Sequence, residues 1–120
     1  PAAMSEVLAV GSVGPCGPSW FSNHGPWVDA CAPGEDIVSQ FFTFDGDLEP
    51  VADSTAPDID EFAGWALWSG TSFAAPNVVG ALCEIIELND CTAKQALKHL
   101  VRRRGLIRIP DYGVVVNRSF

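Results

Sequence analysis

From Ser72 to Leu88 the chain is apolar almost all round, with Phe73, Ala74, Val78, Val79, Leu82, Ile85 and Ile86 interleaved with the small residues Ala75, Gly80 and Ala81. A segment with no polar face is stable as a helix only when other elements cover it, and its small residues let those neighbours come close to its axis. The rest of the fold must therefore supply a surface to receive this helix. Val7-Leu8-Ala9-Val10, a short continuous apolar run that stops at Gly11, supplies one as a strand buried on both faces of a parallel sheet.

The remaining elements follow from punctuation and composition. Gly14-Pro15-Cys16-Gly17-Pro18-Ser19 and Ser22-Asn23-His24-Gly25-Pro26 are rich in turn formers and read as loops. Trp27-Val28-Asp29-Ala30 leads into a turn at Pro33-Gly34, after which Ile37 to Phe44 has the β-branched and aromatic content of a strand. Residues 45 to 62 hold Asp45, Asp47, Glu49, Asp53, Asp58, Asp60 and Glu61 with two prolines, which predicts an exposed acidic loop. Trp65-Ala66-Leu67-Trp68 then returns as a strand, closing an elaborated hairpin around it. Downstream, Thr92 can cap a second, amphipathic helix running to about Arg103 with Ala96, Leu97, Leu100 and Val101 inward, ended by Gly105. Val114-Val115-Val116 makes a last strand.

Charge narrows the range of partners. The 120 residues carry a net charge of -8, yet Lys and Arg are absent before Lys94 and all seven lie between Lys94 and Arg118. An acidic body repels nucleic-acid phosphates, and the Arg102-Arg103-Arg104 run suits the solvated, negative end of a helix dipole. No nucleic-acid partner is expected. No uninterrupted apolar run reaches the roughly 20 residues that span a bilayer, so no membrane partner is expected either. The first residues show neither the basic start nor the apolar stretch of a secretion signal.

Chemistry concentrates at Gly70-Thr71-Ser72-Phe73-Ala74-Ala75-Pro76, where a strand passes into the apolar helix. A hydroxyl at that point lies beside the unpaired N–H groups of the helix's first turn, where an anion is stabilised. Gly70 permits a tight approach, and Pro76, early in the helix, removes at most one bond. The same pattern serves an ordinary Ser N-cap, and because capping Ser and Thr are so common the residue types alone favour the cap.

The seven residues nevertheless resemble, without a mismatch, the nucleophile motif of the subtilase family, Gly-Thr-Ser-x-Ala-x-Pro. The resemblance continues in the family's order through Val7 to Val13, Phe21 to Pro26 and Val28 to Gly34, and more loosely through Tyr112 to Asn117. It implies the C-terminal part of a subtilisin-like catalytic domain over residues 1 to 120, with the acidic stretch as an insertion. The implied fold is the three-layer α/β type, a mostly parallel sheet with helices on both faces. The implied activity is that of a serine endopeptidase working through an acyl-enzyme on peptide or protein substrates, exported by family habit. Ser72 becomes the nucleophile and, through its backbone N–H, half of the oxyanion hole, with the Thr71 hydroxyl supporting that site. In the family the catalytic Asp, the His and the oxyanion Asn come earlier in the chain, and their motifs are not found between Pro1 and Phe120. His24 sits in a family loop that does not carry the base, and His99 reads as a solvated surface residue. Asn77 stands where the family often has His.

By this reading the 120 residues alone are inactive and self-associate, because the N-terminal part of the domain would cover their apolar faces. The alternatives are a catalytically dead binding or scaffold module and a truncation product. No cofactor is required for the chemistry. Cys16, Cys31, Cys83 and Cys91 form no CxxC pair and give little support for zinc; free thiols or a Cys83–Cys91 bridge both suit them. Asp45, Asp47 and Glu49 alternate as calcium ligands do, and family members commonly hold structural calcium, although such runs are usually solvated loops.

Overall fold

The computed structural model describes residues 2–48, 58–102 and 105–117. Two compact units are formed, one from Pro1–Glu35 with Ser69–Phe120 and the other from Asp36–Trp68.

The first unit is a five-stranded sheet carrying two helices. Its strands are β1 (Val10–Gly14), β2 (Gly17–Pro18), β3 (Ala30–Pro33), β6 (Arg108–Ile109) and β7 (Gly113–Val115), in the order β2-β1-β3-β7-β6. The three central strands are parallel, with Gly11 opposite Cys31 and Ala30 opposite Val114, while β2 and β6 run antiparallel at the edges. The first strand begins later than its apolar run suggests. Val7 is held in a turn by its N–H donating to the Met4 carbonyl. At Ala9 the N–H donates to the Asp29 carboxylate at 3.0 Å, so ladder pairing starts only at Val10. The loop predicted at Gly14–Ser19 is in part a tight hairpin, Val13 pairing with Pro18.

Both helices contribute to one core. Ala30 and Ala32 of β3 meet Ala74, Val78 and Ala81 of α1 (Thr71–Asn89), Leu100 of α2 (Ala93–Arg102) and Val116. Alanines on both sides let the helix lie close to the strands, and fully burying Val78 is worth about 1.5–3 kcal/mol. Between the helices Thr92 caps α2 as expected, and Gln95 answers it, the Thr92 N–H donating to Gln95 Oε1 at 2.8 Å in a reciprocal capping box.

The burial of α1 departs from the expectation of an all-round buried helix. Only the stripe Ala74, Val78, Ala81 is buried, while Val79 is 55% and Leu88 75% exposed. By length and composition α1 could cross a membrane; here its buried stripe is spent on the sheet.

The second unit is an antiparallel pair, β4 (Ile37–Leu48) and β5 (Asp58–Trp68), with an irregularity between Gln40 and Thr43. Phe41 meets Trp68 edge to face, centroids 5.1 Å apart. The hairpin is longer than predicted: residues 45–48 and 58–62, read from composition as loop, pair as strand, with Asp45 opposite Glu61 and Asp47 opposite Ile59. Backbone pairing overrides composition there, since a ladder already in register extends at little extra entropic cost. Glu49 and the remainder of the acidic stretch to residue 57 lie outside the described residues.

Candidate active site

Where the chain leaves β3 it turns at Pro33-Gly34, and after the hairpin it re-enters beside the same turn. There the Gly70 N–H donates to the Gly34 carbonyl at 2.7 Å. The next residue begins α1, with Gly70 in the cap position on extended backbone and no side chain capping the helix. Ser72 is therefore not an N-cap, which was the competing reading of the motif. It is the second helical residue and is exposed, and among the described residues nothing bonds its hydroxyl. Thr71 precedes it, half-buried.

The close approach expected at Gly70 belongs to a different glycine. A Cβ on Gly70 would meet nothing nearer than the Phe73 ring at 3.5 Å, an ordinary contact. On Gly34 it would lie 2.5 Å from Ser12 Oγ, 2.7 Å from the Gly70 carbonyl oxygen and 3.2 Å from Ala74 Cβ. Gly34 is thus the position where strand, turn and helix converge. Its neighbour Ser12 is fully buried and shares a hydrogen bond with Ser19 Oγ at 2.8 Å, while its own N–H donates to Ser22 Oγ at 2.9 Å. These three serines brace the loop 19–23 against β1. In the sequence this region carries only the signal of a loop, because hydroxyls scattered through turn formers give no sign of their mutual contact.

A second tie reaches the helix one turn further on. Asn77 Nδ2 donates to the Pro33 carbonyl at 3.1 Å and to the Phe73 carbonyl at 3.2 Å.

No imidazole is brought to Ser72. His24 stacks on Tyr112, centroids 5.6 Å apart and planes 23° from parallel, and His99 is exposed in the last turn of α2. The cysteines are all free, so the bridge between Cys83 and Cys91 is not formed; Cys91 Sγ instead contacts the Ile85 carbonyl at 3.8 Å. Burial raises the Cys31 thiol from 9.0 to about 11. Among the described residues no group of His, Cys, Asp and Glu is arranged to hold a metal. Of the calcium candidates, Asp45 and Asp47 stand in β4 and Glu49 lies outside the described residues.

Comparison with known proteins places this arrangement among relatives. The family model described as the subtilase family matches residues 1–105. Mycosin-1 of Mycolicibacterium smegmatis is 45% identical over 110 residues, 90% of this chain and 22% of that protein. The thermophilic serine proteinase of Bacillus sp. (strain AK1) is 37% identical over 101 residues, 82% of this chain and 20% of that protein. The chain thus spans about a fifth of the length of these curated relatives. Among solved structures, MycP1 with its N-terminal propeptide removed superposes with a TM-score of 0.66 at 29% identity, covering 98% of this chain and 36% of that one. The α/β, subtilisin-like fold expected from the sequence is the fold observed, in part of a domain.

Proposed function

Because the chain belongs to the subtilase family, we propose that it is the nucleophile-bearing part of a serine endopeptidase domain and that its parent protein cleaves peptide bonds through an acyl-enzyme. The observation that carries this reading is the exposed Ser72 hydroxyl, unbonded, on the first turn of α1. The cap position belongs to Gly70, so Ser72 has no capping role there.

In the proposed reaction Ser72 Oγ attacks the scissile carbonyl carbon while its proton passes to an imidazole supplied by the family's histidine, outside these residues. The carbonyl oxygen becomes an oxyanion facing the Ser72 N–H at the positive end of α1, with the Thr71 hydroxyl alongside. Collapse expels the amine, which takes the proton from the imidazole. Water then attacks the acyl carbon by the same route, releasing the acid and restoring Ser72. The remaining parts of the domain are the chain's first partner in this reading, and a peptide or protein is its substrate.

Labelling of the parent protein with a fluorophosphonate probe tests the proposal, with Ser72→Ala as the control. Labelling at Ser72 and loss of nearly all peptidase activity in the variant are expected, since a triad acts as a unit. Near-normal turnover by Ser72→Ala would exclude Ser72 as the nucleophile. Taken alone, residues 1–120 should neither label nor cleave casein, because an unactivated serine is a weak nucleophile at neutral pH.

A further inference from the structure

The first turn of α1 is poorly held by the helix itself. Gly70 offers no capping side chain. Pro76 has no N–H, so the Ser72 carbonyl lacks the amide four residues on that would ordinarily bind it. Yet a nucleophile must be held within a fraction of an ångström of its productive position, and the restraint has to come from elsewhere.

Two consecutive carbonyls at the exit of β3 supply it. Gly34 O receives the Gly70 N–H at 2.7 Å on one side of Ser72, and Pro33 O receives Asn77 Nδ2 at 3.1 Å on the other. Asn77 also donates to the Phe73 carbonyl within its own helix at 3.2 Å, so one amide group joins the helix turn bearing Ser72 to the strand. The strand end is fixed in turn: Gly34 N–H donates to the Val13 carbonyl of β1 at 3.2 Å.

We infer that Asn77 is a positioning residue for Ser72, setting the angle at which the nucleophile leaves the sheet; this rests on the serine endopeptidase reading. It acts through donors rather than bulk. An Asp in its place keeps the shape but turns acceptor oxygens toward two carbonyls, whereas a His can still offer one N–H to Pro33 O.

The test uses the full-length parent protein and the variants Asn77→Asp, Asn77→Ala and Asn77→His, with active sites counted by stoichiometric fluorophosphonate labelling so that misfolded molecules drop out of the rate. Per titrated site, Asn77→Asp and Asn77→Ala should lose about 10- to 100-fold in kcat with KM within about twofold, the loss expected when a reacting group is displaced by up to an ångström. Asn77→His should restore most of the lost kcat. A kcat per titrated site within twofold of the parent for Asn77→Asp overturns the role; should that variant not fold, Asn77→Ala is read against the same limit. A loss confined to the number of labelled sites or to melting temperature, with kcat per site intact, also overturns it and leaves Asn77 as a stabilising contact. A parent protein that does not label at Ser72 at all overturns the endopeptidase reading and this role with it.

Discussion

Replacing Gly34 with Ala probes the point where β1, the Gly70 turn and α1 meet. The added methyl would lie 2.5 Å from Ser12 Oγ and 2.7 Å from the Gly70 carbonyl oxygen, both inside van der Waals contact. Ser12 Oγ cannot swing away without breaking its 2.8 Å bond to Ser19, and the Gly70 carbonyl is backbone. Overpacking of this kind costs about 1–3 kcal/mol, and a lost buried hydrogen bond adds about 0.5–1.5 kcal/mol. Against this, Ala reduces the freedom of the unfolded chain and returns about 0.4–1 kcal/mol. The net loss is about 2 kcal/mol. Urea unfolding of the parent protein, followed by tryptophan fluorescence, should show a lower midpoint at unchanged slope. Gly70→Ala is the comparison, since its methyl meets only the Phe73 ring at 3.5 Å and its backbone is extended; its stability should change by no more than about 0.5 kcal/mol. If Gly34→Ala were as stable as the parent, or Gly70→Ala the worse of the two, the assignment of the close approach to Gly34 would be refuted.

Cys31, buried with its thiol raised to about 11, should resist iodoacetamide at pH 8 in the folded protein while the exposed Cys16 and Cys83 are alkylated, which peptide mass spectrometry reads directly. The same shift makes stability pH-dependent: between 9.0 and about 11 the unfolded thiol has lost its proton and the folded one has not, so this contribution is full below 9 and lost as pH rises through 11. A Cys31→Ala variant should flatten that part of the urea-midpoint profile, and an unchanged slope would argue against the burial. Calcium at millimolar concentration should leave the melting temperature unmoved, because β4 keeps Asp45 and Asp47 on extended backbone that does not wrap an ion. A rise abolished by Asp45→Asn with Asp47→Asn would establish a calcium site instead.

The two helices and the turn at Gly70-Thr71-Ser72 were legible because each carries a local signal: an apolar segment of helical length, a Thr92 cap and a seven-residue motif. What escaped was set by contacts between distant residues. The delayed start of β1 depends on Asp29 reaching Ala9 across twenty positions. The short edge strands β2 and β6 have two residues each, too few for any periodicity. The acidic stretch looked like loop because charge density speaks for solvent and says nothing of a ladder extending into it. At the site, the motif pointed to Ser72 and Thr71 but assigned the tight packing to Gly70; only the fold reveals that Gly34, 36 positions earlier, has no room for a methyl. Asn77 was visible as a departure from the family's pattern, but its acceptor at Pro33 lies 44 residues away.

The bond from Gly70 N–H to Gly34 O brings together two residues that the hairpin of residues 36–68 separates along the chain. The hairpin is thus a graft with its two stumps already joined at the base. Doubling or halving such an excursion changes the cost of closing it by only about 0.6 kcal/mol. Evolution, or a protein engineer, can therefore lengthen, shorten or exchange everything beyond that base while the Gly34–Gly70 junction stays closed, so this is the place in the chain where variants of one frame can diverge most freely.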